Sequence, residues 1–164
     1  MVSFSFKVIS HAAVPRALEK AERYRLLNEP EQAESICRDI LVAEPGHQEA
    51  LVVLLLALAD QLGTRHVRDV GSAEEALEKL TDPYQRTYYA GIIRERWARS
   101  LIHKDDPGGQ AYTWLIDAMA CYESAQALAP IGNDDAVLRW NACARVIERE
   151  QLKEPAHDHY GHGD

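Results

Sequence analysis

Residues 17–45 decide the fold and read ALEKAERYRLLNEPEQAESICRDILVAEP. Apolar side chains recur at helical spacing on both sides of the turn sequence NEP, which predicts two amphipathic helices. Small residues, Ala21 and Ala33, stand where two such helices would touch. Larger residues follow at fixed distances from them: Tyr24, Cys37 and Ile40. A pair of this kind leaves an apolar face uncovered, so the stretch predicts further helices stacked against it.

The ends of these two helices are marked by residues with defined backbone preferences. Pro15 suits the first turn of a helix, and Pro30 does the same for the second helix. Asn28 between them tolerates the left-handed conformation that ends many helices. The second helix must stop before Pro45, because proline cannot continue it.

The rest of the chain is predicted to form five more helices. Residues 47–62 are apolar on nearly every side, which predicts a helix in the middle of the fold. Ser72 with Glu75 forms a capping box for a short helix to about residue 80. Asp82 and Pro83 cap and open a long helix to about residue 103. A sixth covers 111–128, and a seventh begins after Asn133 or Asp134.

The two ends of the chain lie outside this helical region. Residues 1–10 alternate weakly between apolar and polar side chains, as a strand would, but the chain offers no second strand. We therefore expect residues 1–13 to form an extended arm on the helices. Residues 14–152 form the helical domain, and the polar residues 153–164 form a flexible tail. The fold class is all-α.

Composition excludes several classes of function. The formal charge of −8 argues against a general nucleic-acid binder. No apolar run reaches the roughly 20 residues that a membrane span requires, and no secretory leader is recognisable. The three cysteines are odd in number and far apart, which favours a reducing compartment. These observations predict a cytoplasmic protein.

The spacing of small and large residues recurs later in the chain. Ala33, Cys37 and Ile40 are followed by Pro45, and the same distances separate four later residues: Ala118, Tyr122, Ala125 and Pro130. This pattern resembles the tetratricopeptide repeat, a helix-turn-helix unit of about 34 residues. The resemblance covers 14–62 and 111–130, and the middle of the chain departs from it. A plain helical bundle with the same spacings is the alternative.

The resemblance implies a right-handed solenoid of about three repeats and a closing C-terminal helix. The first helix of each repeat would line a concave groove. A domain of this kind would act as a scaffold or adaptor that binds a peptide or helix of a protein partner, as a monomer or a homodimer, without enzyme activity or cofactors. A small secretion-type chaperone for an unfolded client is the alternative function, resting on size, charge and repeat type.

The fifth predicted helix suggests where a partner would bind. Residues 84–104 carry five basic side chains against one acidic side chain, Glu95. Arginine grips carboxylates with two parallel hydrogen bonds, so Arg94, Arg96 and Arg99 are candidates to hold an acidic peptide or a chain terminus. The alternative is that these arginines pair with acidic residues of neighbouring helices.

Asn141 and Arg145 are further candidates, since residues four apart share a face of a helix. In peptide-binding members of the resembled family, an asparagine and a basic residue at this spacing hold a ligand's backbone and carboxylate. The first predicted helix has Leu18 and Glu22 instead of a matching pair. A complete two-carboxylate clamp is therefore not expected.

Two other groups of residues could carry chemistry. His157, His159 and His162 in the tail could bind nickel, zinc or copper through neutral imidazoles, which would make the protein a metal-binding one. The alternative is a solvated tail without ligand. The cysteines fall on apolar helical faces, where cysteine behaves as a small hydrophobe rather than as a nucleophile.

Overall fold

The computed structural model describes residues 1–106 and 109–156. Over these residues the chain is all-α, as predicted, with seven α-helices after a short 3-10 helix and with no strand. The α-helices are α1 (Val14–Leu26), α2 (Pro30–Ala43), α3 (Gln48–Asp60), α4 (Gly71–Glu78), α5 (Pro83–Ile102), α6 (Gln110–Leu128) and α7 (Asp135–Arg149). The 3-10 helix spans His11–Ala13.

Most of the predicted helix ends are confirmed. Asn28 has a φ of 60° and separates α1 from α2, which opens at Pro30. Asp82 is the N-cap of α5, where its Oδ2 accepts a hydrogen bond from the backbone N–H of Gln85 at 2.9 Å. Before α7, the side chain of Asn133 accepts from the N–H of Asp135 at 3.1 Å, whereas Asp134 at the N-cap makes no side-chain cap.

The predicted capping box at Ser72 is wrong. α4 begins one residue earlier, at Gly71, after Val70 has already taken helical dihedral angles. Ser72 therefore lies inside the first turn, where its hydroxyl caps no free N–H. The side chain of Asp69 accepts from the N–H of Gly71 at 2.9 Å and turns the chain into the helix instead.

The helices pack mainly on their neighbours along the chain. α1 packs on α2, α2 on α3, α3 on α4, α5 on α6 and α6 on α7, and alternate helices also meet where α1 contacts α3 and α3 contacts α5. Eight residues of α3 are buried, which confirms its predicted central position. The core is therefore built mainly between helices that are neighbours along the chain.

Two clusters of buried side chains form this core. The first lies among α1–α4 and includes Ile93 and Trp97 from one side of α5. The second lies among α5–α7 and includes Ile92 and Ala98 from the other side of α5. α5 is thus the element that joins the two halves of the domain.

Candidate functional site

A basic groove lies where α1, α3 and α5 end on the same side of the domain. Its volume is about 510 Å³. We call it the arginine groove, after the charged residues Arg25, Asp60, Arg96, Arg99 and His103 that line it. The other lining residues are Leu26, Asn28, Ala59, Leu62 and Ser100. The three arginines outnumber the two carboxylates that contact them, Asp60 and Glu95, so the groove keeps a positive excess in a protein whose net charge is −8.

Asp60 sits between two of the arginines. Nε of Arg25 lies 2.8 Å from Asp60 Oδ2, and Nη1 of Arg96 lies 3.5 Å from Asp60 Oδ1. The Asp60 side chain is 18% exposed, so its ion pairs with Arg25 and Arg96 are only partly screened by solvent. The groove therefore already places guanidinium groups from α1 and α5 around one carboxylate, which is the arrangement that a ligand carboxylate would need.

Arg99 is held by a carboxylate beneath the groove. Glu95 is fully buried, and its Oε1 accepts from Nη2 of Arg99 at 2.9 Å and from Nη1 of Arg139 at 3.4 Å. Its Oε2 accepts from the hydroxyl of Tyr122 at 2.7 Å. A buried charge is tolerated only when it is paired and hydrogen-bonded, and these contacts satisfy that condition. Arg99 is therefore partly committed to the stability of the fold.

Burial raises the pKa of one tyrosine of the core and of the three cysteines. Burial, followed by the charge of Glu95, raises the pKa of Tyr122 far above its ordinary value, so the hydroxyl stays a hydrogen-bond donor. Burial also raises the pKa of Cys143 and of Cys37 to about 12 in each case, and it raises the pKa of Cys121. An activated cysteine nucleophile has a lowered pKa, so these shifts run in the opposite direction.

Arg94 does not join the arginine groove. Its Nη1 donates to the backbone carbonyl of Ala90 at 3.0 Å, within its own helix. Two residues along an α-helix correspond to a rotation of about 200°, so Arg94 and Arg96 lie on opposite sides of α5. The structure thus brings Arg96 and Arg99 together with Arg25 and leaves Arg94 apart.

Asn141 and Arg145 lie on the outer face of α7. The buried face of this helix carries Ala136, Cys143 and Val146. Asn141 and Arg145 each stand two residues from Cys143, which turns them about 200° away from that face. Arg145 is exposed and Asn141 is half-buried. These two residues share a face, as predicted, but they do not line the arginine groove.

Of the five charged residues that line the groove, three were not among the predicted site residues: Arg25, Asp60 and His103. Arg25 lies in the last turn of α1, and Asp60 ends α3. A signal for Asp60 was present in the sequence, because it is the first charged side chain after the long apolar run LVVLLLALA. Its pairing with Arg25 joins positions 35 residues apart, which no local pattern indicates.

The predicted metal-binding histidines, His157, His159 and His162, lie outside the described residues. Within 1–106 and 109–156, no three His, Cys, Asp or Glu side chains come close enough to hold a metal ion together. In the same part of the chain, no helix combines the length and the apolar character needed to cross a membrane.

Comparisons with protein-family models, with curated protein sequences and with solved structures found no match to this chain. The residues of the arginine groove are suited to binding an anion, because guanidinium groups from two helices point at one small volume.

Proposed function

We propose that residues 14–152 form a right-handed solenoid of about three tetratricopeptide-like helix pairs closed by α7. In this arrangement α1 pairs with α2, α3 with α4, and α5 with α6. The contacts between α1 and α3 and between α3 and α5 support it, since the first helices of successive repeats stack in such arrays. The proposed architecture puts the arginine groove on the surface shared by the first helices.

The small residues of the sequence pattern support the same architecture. Ala33 on α2 and Ala118 on α6 are fully buried, and Tyr122 beside Ala118 is 1% exposed. Gly91 on α5 lets the ring of Tyr122 pack directly on the helix backbone. Small residues that allow close approach, next to an aromatic ring that fills the gap, are the packing that the repeat pattern requires.

We further propose that the protein is a scaffold or adaptor that binds an acidic peptide, or a chain end bearing a carboxylate, in the arginine groove. The observation that carries this proposal is the placement of Asp60 between Arg25 and Arg96. A partner carboxylate can occupy the same positive site by competing with Asp60 for these guanidinium groups. The local positive charge also steers acidic segments toward the groove.

The test is a binding titration with fluorescently labelled peptides. A library of acidic peptides of about ten residues is compared with a matched library in which Asn and Gln replace Asp and Glu. Acidic peptides should bind, and Arg96→Glu should weaken their binding about tenfold or more, since it places like charge in the site. Arg99 is left intact in this experiment because its loss would leave Glu95 with one charged partner fewer.

Arg145→Glu is the matched control, because it makes the same change of charge at an exposed position on α7 away from the groove. It should leave peptide affinity near that of the unmodified protein. Equal losses in the two variants would show that net charge and not the groove governs binding. Failure of every acidic peptide to bind would reject the groove as a peptide site.

A further inference from the structure

Residues 1–10 form an N-terminal arm without helix or strand, and most of its apolar side chains are exposed. Val2, Phe4, Phe6 and Val8 are 77%, 80%, 91% and 72% exposed. The chain contains two phenylalanines, and both stand in this arm. Large apolar side chains grouped on a surface mark a place where another surface docks.

The backbone of the arm also lacks partners. The N–H and C=O groups of residues 1–9 make no backbone hydrogen bond to the described chain, which contains no strand that could pair with them. The apolar side chains alternate with Ser3, Ser5 and Lys7, so an extended arm presents all four of them on one face. The arm is thus built like an edge strand whose neighbour is missing.

The arm is anchored at one end to the helices. Ile9 packs against the first core cluster, and residues 6–8 lie along a groove of about 520 Å³ beside α2. Leu41, Val42 and Leu54 line this groove, and Val42 is 65% exposed. Apolar side chains of α2 and α3 therefore lie next to residues 6–8 of the arm, together with the polar side chains of Ser35, Arg38, Asp39 and Lys79.

The sequence of the arm has the symmetry of a self-pairing strand. Residues 2–8 read VSFSFKV, which is nearly the same in both directions about Ser5. When two such arms run antiparallel about Ser5, Val2 lies opposite Val8 of a second copy and Phe4 lies opposite Phe6 of a second copy. A two-fold interface must be self-complementary in this way. Aromatic and β-branched cross-strand pairs stabilise a ribbon of this kind.

The one break in the symmetry also favours pairing. Lys7 is the single charged side chain in residues 2–8, and it lies opposite Ser3 of a second copy rather than opposite another lysine. Like charges directly opposite one another would destabilise the pair. Lysine at both positions would create that repulsion, and the serine at position 3 avoids it.

We propose that two copies of the chain associate about a two-fold axis by antiparallel pairing of their arms, centred on Ser5. A two-stranded ribbon alone is marginal in water, so it requires a surface to cover its apolar face. In each copy, Leu41, Val42 and Leu54 beside the arm supply the apolar part of that surface. The inference is independent of the function proposed for the arginine groove.

The first test measures mass by light scattering from about 1 to 100 µM protein. The unmodified protein should shift from monomer to dimer over this range, as expected for a small interface. Phe4→Ser with Phe6→Ser should stay monomeric with unchanged helicity, because both rings are exposed. Leu128→Ser with Ile131→Ser is the matched control, since these side chains are 51% and 108% exposed and lie far along the chain, and it should still dimerise.

The second test locates the two-fold axis. Residues opposite each other in an antiparallel pair have Cα atoms about 4.5 to 5.5 Å apart, within the range that a disulfide spans. Ser5→Cys should therefore cross-link two copies under mild oxidation, whereas Ser3→Cys should not, because it faces Lys7. The unmodified protein under the same oxidation measures the background from its own cysteines.

Three outcomes would overturn the proposal. The first is a monomer at every concentration tested. The second is a dimer that persists after both phenylalanines are replaced, which would place the interface elsewhere. The third is cross-linking of Ser3→Cys as efficient as that of Ser5→Cys, which would show contact between arms without the proposed register.

Discussion

The contact between Gly91 and Tyr122 decides how closely α5 and α6 approach. A Cβ atom at position 91 would lie 2.5 Å from Cε1 and 2.8 Å from Cδ1 of the tyrosine ring. The ring therefore rests on bare backbone, and its hydroxyl reaches Glu95 at 2.7 Å. Glycine is required here for space and not for a special backbone conformation.

Gly91→Ala should destabilise the protein by about 1 to 3 kcal/mol, because the ring must move and its hydrogen bond to Glu95 weakens. The higher helix propensity of alanine, about 1 kcal/mol, acts in the opposite direction and does not compensate. Urea unfolding followed by circular dichroism measures the change. Gly46→Ala is the control, since nothing lies within 4 Å of its Cβ position. A Gly91→Ala variant as stable as the unmodified protein would contradict the packing described.

Glu95 is buried, and neither its burial nor its hydrogen-bond partners could be predicted from the sequence around it. It stood in the sequence as the one acidic residue of a basic helix, and nothing local distinguished it from a solvated side chain. Its partners Tyr122 and Arg139 are 27 and 44 residues away. The helical periodicity of apolar residues predicts which face is buried, but not that a carboxylate on that face finds compensating donors.

At the scale of the helix, the ends of helices could be predicted from the sequence only where a single residue fixes the backbone conformation. Asp82 precedes a proline that must open a helix, so its capping role followed directly. Ser72 satisfied a more degenerate pattern, and the preceding residues turned the chain into α4 before reaching it. A hydroxyl or carboxylate at the right spacing caps a helix only if the backbone before it is still extended.

The two positions make a direct test. Asp82→Ala should cost about 1 kcal/mol, because the N–H of Gln85 loses its hydrogen bond. Ser72→Ala should change the free energy of unfolding by less than about 0.5 kcal/mol, since this hydroxyl caps nothing. Both values come from urea unfolding. Equal costs for Ser72→Ala and Asp82→Ala would mean that the Ser72 hydroxyl does cap α4.

The arginines of α5 show a second limit at this scale. Arg94 and Arg96 were predicted to bind a partner together because they are close in the chain. The rotation of about 100° per residue nevertheless puts them on opposite sides of α5. That separation could have been predicted from the sequence. The side of α5 that faces α3 could not, because it depends on which of two apolar faces meets which core cluster. Only that choice puts Arg96 beside Asp60.

For the whole molecule, the two core clusters meet at α5, and most other contacts join neighbouring helices. If the helices form the proposed repeat array, each unit is stabilised mainly by its neighbours, and a local defect should remain local. The sequence predicted successive helix pairs from the pattern at 17–45. It could not predict that α5 would pack against both core clusters. The residues of its two buried faces alternate along one continuous helix, so the sequence does not show which residue belongs to which cluster.

Val146→Ala in α7 and Val14→Ala in α1 test this organisation with the same chemical change at opposite ends of the domain. Both valines are buried, at 3% and 2% exposure, so each variant should lose about 1 to 3 kcal/mol. In native-state hydrogen exchange, Val146→Ala should accelerate exchange in α6 and α7 and spare α1 and α2, and Val14→Ala should do the reverse. Equal acceleration throughout all helices in both variants would mean that the domain opens as one cooperative unit. A helix array with local cooperativity would then be excluded, and the alternative of a plain bundle would describe the fold better.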